Sequence, residues 1–173
     1  SLFAAVIAVL GLAPKVMLAS GVPITAQSMG IMLCGTVLGA KKGTLAVLLF
    51  ITLTALGLPL LSGGRGGLGI FASPSVGFIV GFPLAAYVAG LITTKLKMVN
   101  IFYSSLLGAI IGGIFVLYIP GIIGMSIILG KSISEAMVIA LIYLPGDLIK
   151  AFLCATLTQT LFKLRPADVL SRS

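Results

Sequence analysis

The sequence contains no histidine and only three acidic residues in 173 positions, Glu135, Asp147 and Asp168. The first absence removes the commonest general base and the commonest transition-metal ligand together. Charge of either sign is scarce. Eleven Lys+Arg and three Asp+Glu make 14 charged residues, where a soluble chain of this length would carry roughly 43 at about 25%. A soluble domain needs a charged surface that these residues cannot supply, which excludes an ordinary globular domain, a coiled coil and a disordered tail. In place of charge stands 60% apolar residues and a mean hydropathy of +1.30. The expectation is an all-α integral membrane protein, residues 1–173 forming one transmembrane unit with little mass outside the bilayer.

The net charge of +8 does not point to nucleic acid. A nucleic-acid face gathers its basic residues with aromatics between them, whereas these stand singly or in pairs between long apolar runs. They read instead as topology signals. Cys34 and Cys154 both lie inside apolar stretches and read as small buried hydrophobes.

A hydrocarbon core takes about 20 apolar residues per helix, and six spans can be read. The first is Leu2–Leu12, ending before Pro14. It is too short to cross, so its helix is expected to begin upstream of Ser1. The others are Ile24–Leu38 after Pro23, Gly43–Leu58 before Pro59, Ser75–Thr94, Asn100–Tyr118 with Pro120-Gly121 near its end, and one within Ser132–Leu164. That last segment is too long for one span, and Pro145-Gly146 lies in its middle. Proline suits the first helical position and pushes its predecessor out of the α region. We therefore expect a short helix over Ser132–Tyr143, with Ser132 and Glu135 spaced as a capping box, and a sixth span over Pro145–Leu164. One long kinked helix is the alternative.

Sorting the cations by loop gives Lys15, Arg65 and Lys131 on one side. On the other stand Lys41, Lys42, Lys95, Lys97, Lys163, Arg165 and Arg172. Seven against three places both termini in the cytoplasm. Small residues at four-residue spacing, Ala4/Ala8, Gly35/Gly39, Gly77/Gly81 and Gly108/Gly112, suit close helix packing in lipid.

Two motifs mislead. Gly64-Arg65-Gly66-Gly67-Leu68-Gly69 matches a dinucleotide fingerprint, but it falls in a loop between spans and not in a βαβ unit. Gly130-Lys131-Ser132 resembles the end of a phosphate-binding loop, but its leading glycine position is Met125. The chain is therefore expected to be neither an enzyme nor an ATPase, and active transport would borrow energy from an ion gradient or another subunit.

Asp147 and Lys150 are three apart within a span, on one helix face. Charges at such depth are costly and mark a functional site by default, although a purely structural ion pair is the alternative. Near a helix N-terminus they suit a small ligand with N–H donors and a carboxylate. The loop Leu60–Pro74 carries Gly64, Arg65 and Gly66 among five glycines, which lets backbone approach a ligand. It is assigned to the same outer face, as is Gly21-Val22-Pro23-Ile24-Thr25-Ala26-Gln27. Thr25 and Gln27 could bond a ligand or satisfy backbone at the start of the second span.

At these residues the chain resembles the BioY family. The shared pattern is Val22-Pro23-Ile24-Thr25 with Gln27, Ala55-Leu56-Gly57-Leu58-Pro59, Gly63-Gly64-Arg65-Gly66-Gly67, Pro74 to Gly81-Phe82, and Pro145-Gly146-Asp147-Leu148-Ile149-Lys150. These are the biotin-binding S components of energy-coupling factor (ECF) transporters, in the bacterial cell membrane. The resemblance implies an S-component fold of six membrane helices and biotin bound at the extracellular side, without any cofactor. It also implies partnership with a membrane coupling protein (the T component) and two cytoplasmic ABC ATPases. By the same resemblance Asp147 accepts from the ureido ring of biotin and Lys150 contributes a cation. Arg65 contacts the ligand as the glycine loop closes, and Tyr143 and Phe71 are candidates to line the thiophane pocket. Ala4 and Ala8 on the first helix are implied to be partner contacts. Where family members often carry a tyrosine, this chain has Gly77-Phe78. An ion-coupled small-anion transporter or channel working without an ATPase is the alternative from another class.

Overall fold

The structure, a computed structural model, describes residues 2–14, 16–17 and 22–172; Lys15 and Gly21 lie outside the described residues. The element order is α1 (Leu2–Leu10), β1 (Val16–Met17), β2 (Pro23–Ile24), α2 (Gln27–Ala55), α3 (Val76–Lys95), α4 (Ile101–Ile110), α5 (Leu117–Leu129), α6 (Ile133–Leu141) and α7 (Leu144–Leu164). Short 3-10 turns cover Leu68–Ala72 and Pro166–Asp168. β1 and β2 form a two-residue antiparallel ladder between α1 and α2, pairing Val16 with Ile24.

Helices Gln27–Ala55, Val76–Lys95 and Ile101–Leu129 are long and apolar enough to cross a membrane, and α6 with α7, bent by 54°, passes the same test as a pair. α2 is not one rod. Gly39 has φ 79° and ψ 177°, a backbone state that a side chain resists. A Cβ on Gly43 would meet the carbonyl oxygen of Cys34 at 2.4 Å. Residues nine apart along a straight helix are separated by about 13 Å, so the chain turns back at Gly39 into two packed arms. Those arms coincide with the second and third expected spans.

The helix ends follow local chemistry. The Asn100 side chain accepts from Phe102 N at 2.9 Å and starts α4. Ser132 and Glu135 make the expected reciprocal capping box of α6. Pro145 stands in the first turn of α7, where its missing N–H costs nothing. The expected break before the last span is therefore present, as a bend between two helices.

The fifth span needs correction. It does not stop near Pro120, because α4 and α5 are continuous through a π-helical stretch, Ile111–Val116, and run on to Leu129. An interior proline clashes with the carbonyl four residues back, here that of Val116 at the end of the wider π turn. The same stretch turns Leu117 and Tyr118 inward, both buried, while Phe115 and Ile119 face outward.

Backbones approach closely where the glycine pairs occur. A Cβ on Gly77 would lie 1.9 Å from the Pro120 carbonyl oxygen, and Cβ atoms on Gly108 and Gly112 would crowd the carbonyls of Ala89 and Ala85. α3 is thereby wedged against α4 and α5. On α1, Ala4 is 5% exposed and belongs to the core with Ile7 and Phe50, while Ala8 packs half-buried on the same cluster. Ala4 thus points into the bundle, which corrects the expectation that it faces a partner; Leu2, Ala5, Val9 and Leu12 are the exposed residues of this segment.

The two ends of the bundle differ. Ser171 N donates to the Val37 carbonyl at 3.0 Å beside the Gly39 turn, and Arg172 donates to the carbonyls of Leu96 and Lys97. These bonds gather the C-terminal tail, the 38–42 turn and the 96–99 turn at one end. The site described next lies at the other.

Candidate functional site

Asp147 comes from the first turns of α7, 6% exposed. Its Oδ1 accepts from Lys150 Nζ at 2.9 Å and from Ser28 Oγ at 3.3 Å, and its Oδ2 accepts from Tyr118 OH at 2.8 Å. Lys150 also donates to Ser28 Oγ at 3.1 Å. Three donors from three helices thus fill three of the roughly four acceptor positions of the carboxylate. Such pairing and hydrogen bonding allow a charge to sit this deep. By that count one acceptor position, on Oδ2, is left over.

The carboxylate faces a narrow cleft that opens to the surface. Its charged lining residues are Asp147, Lys150 and Arg65, with Phe78, Phe82, Leu117 and Tyr143 among the apolar walls. Phe78 meets Tyr118 and Tyr143 edge-on, each at 6.2 Å between ring centroids, a favourable aromatic arrangement. Tyr143 OH donates to the Val22 carbonyl at 3.0 Å, tying α7 to the segment before α2. Phe78 brings no hydroxyl to the cleft; Tyr143 lines it, and Tyr118 stands behind the lining with its hydroxyl on Asp147.

Arg65 reaches the cleft from the glycine loop. A tight turn, with Leu61 and Arg65 paired and Gly63 and Gly64 at positive φ, presents it. Its Nε donates to the Ser62 carbonyl and one terminal nitrogen donates to Ser75 Oγ, both at 3.3 Å. Burial lowers its pKa from the usual arginine value, but arginine remains charged. Gly64 and Gly66 do not line the cleft. Gly64 serves the turn, and Gly66 packs where a Cβ would lie 2.2 Å from the Leu58 carbonyl oxygen.

Gln27 lines the cleft, yet its amide is spent on backbone. Nε2 donates to the carbonyls of Ile7 at 3.3 Å and Leu60 at 3.0 Å, and Oε1 accepts from Ser62 N at 3.0 Å. It staples α1, α2 and the glycine loop together. Phe71 packs against the core around Ile7 and Phe50 and is absent from the cleft lining. Sequence reasoning missed Ser28, Tyr118 and Ser75. A serine one residue past Gln27 and a tyrosine in an apolar run carry no signal of their own, since their partners lie far along the chain.

The chain is similar to known proteins over nearly its whole length. The BioY family model matches residues 1–167. The biotin transporter BioY of Rhodobacter capsulatus is 43% identical over 180 residues, covering 99% of this chain and 95% of that protein. Its counterpart from Rhizobium etli is 48% identical over 165 residues, covering 91% and 87%. Among solved structures, the S-component for biotin from an ECF-type ABC transporter superposes with a TM-score of 0.89 at 32% identity, covering 94% of this chain and 87% of that one. The coverage of both sequence and fold is nearly complete, and the chain belongs to the BioY family.

Proposed function

We propose that this chain is the biotin-binding S component of an ATP-driven ECF uptake transporter. The observation that carries the reading is the buried Asp147 carboxylate, held by Tyr118, Ser28 and Lys150 at the wall of an apolar cleft. Biotin has two ureido N–H donors, a ureido carbonyl, an apolar thiophane ring and a carboxylate tail. The open Oδ2 position accepts a ureido N–H. Lys150, beside it, offers a cation to the ureido carbonyl. The aromatic wall of Phe78, Phe82 and Tyr143 takes the thiophane ring, and Arg65, on the opposing loop, attracts the carboxylate.

In this reading the chain crosses the membrane six times: α1, the two arms of α2, α3, α4 with α5, and α6 with α7. The seven cations assigned to one side support a cytoplasmic position for both termini, which puts the cleft outside the cell. Transport then depends on a coupling protein and ATPases, since the proposed role of this subunit is capture. The outward residues Ala5 and Val9, next to Ala8, are the surface that α1 offers to that coupling protein. Labelled-biotin binding to the purified chain, without any other subunit, tests the reading; affinity weaker than about 1 μM, some −8 kcal/mol, would remove its basis.

A further inference from the structure

A short chain of hydroxyls runs from the cleft wall back into the loop that precedes α3. Its direction follows from counting protons. Ser73 Oγ donates its single O–H proton to the Ile70 carbonyl at 2.7 Å. Toward Ser75 Oγ, 2.9 Å away, it can therefore only accept. Ser75 thus spends its own proton on Ser73 and keeps lone pairs for its other neighbour. Arginine has no acceptor, so in the 3.3 Å contact between Arg65 and Ser75 Oγ the guanidinium donates. The order runs from Arg65 to Ser75, to Ser73 and to the Ile70 carbonyl, with each hydroxyl proton assigned.

This order changes what Ser75 can do. It lines the cleft and is 6% exposed, the position of a hydroxyl that would bond a ligand carboxylate. With its proton committed, it has no donor for one. It offers Arg65 an acceptor instead, polarised by the bonds beyond it. Arg65 Nε meanwhile donates to the Ser62 carbonyl at 3.3 Å. The two contacts come from different segments, the glycine loop and the start of α3, and both are to neutral oxygens. They hold the guanidinium without cancelling its charge and leave its other N–H groups for a ligand. We propose that Ser75 is a positioning residue. Oriented by Ser73, it fixes Arg65 at the cleft and so sets the preference for a ligand with an anionic end over its neutral counterpart. The proposal rests on biotin as the ligand and on its carboxylate lying at Arg65.

Binding of biotin and of its uncharged methyl ester to the purified full chain tests it, in wild type, Ser75→Ala, Arg65→Gln and the double variant. Ser75→Ala should weaken biotin about fivefold, the effect of one hydrogen bond, and leave the ester nearly unchanged. Retained ester binding also shows that the variant folds. In the Arg65→Gln background, Ser75→Ala should add no further loss for biotin, because the two residues act as one unit. Equal losses for acid and ester would make Ser75 a support of the loop and overturn the proposal. So would an unchanged biotin affinity in Ser75→Ala, or a second loss of the same size in the Arg65→Gln background. A wild type that binds neither compound removes the transport reading and this proposal with it. A wild type that binds biotin, followed by any of the contrary results, removes the proposal alone.

Discussion

Tyr118 donates a hydrogen bond of 2.8 Å to Asp147 Oδ2, joining the middle of one long helix to the start of the last. The contact fixes the carboxylate from the side opposite Lys150 and leaves one acceptor position open. Tyr118→Phe keeps the ring against Phe78 and removes only the hydroxyl. Biotin affinity should fall about tenfold, on the scale of ~1.5 kcal/mol for a hydrogen bond to a charged group. Titration calorimetry on the two proteins measures this, and equal affinities would mean that Tyr118 has no part in positioning Asp147.

Lys150 and Asp147 are mostly buried, with side chains 16% and 8% exposed. Removing one partner of such a pair strands the other charge and costs about 3–5 kcal/mol. Lys150→Met should therefore lower the thermal stability of the detergent-solubilised protein more than the double change Asp147→Asn/Lys150→Met does. Melting curves of the single and double variants form a cycle. Strictly additive losses would show that the two side chains act separately.

Part of this site was legible in the sequence and part was not. Asp147 and Lys150 stood out because charge is rare in the chain and the two share a helix face. The bend before α7 was legible because Pro145 has a fixed backbone angle and no N–H. The extent of the fifth span was not. Pro120 looked like an end, whereas the π turn before it lets the helix continue, and that turn is what brings Tyr118 inward. Ser28 was equally hidden, since its role is set by a residue 119 positions away. Gln27 was legible as a cleft residue, but its hydrogen bonds depend on how α1 and the glycine loop pack around it.

Gln27 holds three backbone groups with one amide. Gln27→Leu should destabilise the fold by about 2–3 kcal/mol, the cost of leaving buried backbone groups unsatisfied. Differential scanning fluorimetry reads the loss, and an unchanged melting temperature would contradict the staple role. Biotin binding should weaken only as the glycine loop loosens.

Arg65 lines the cleft from the glycine loop, and in the proposed binding mode it meets only the carboxylate end of biotin. Arg65→Gln should weaken binding of biotin by at least about tenfold, within the ~1.5–3 kcal/mol of a charge-assisted contact, and leave the affinity for its uncharged methyl ester nearly unchanged. Competition binding with both compounds makes the comparison. Equal losses for acid and ester would show that Arg65 supports the loop and does not pair with the carboxylate.

The central claim is that Asp147 is the acceptor for biotin in a chain that captures the vitamin by itself. Equilibrium binding of labelled biotin to purified wild type and to Asp147→Asn tests it most directly. Saturable binding at or below about 1 μM by the wild type, weakened at least about tenfold (~1.5 kcal/mol) in Asp147→Asn, is the predicted result. Equal affinity in the two proteins would contradict the account.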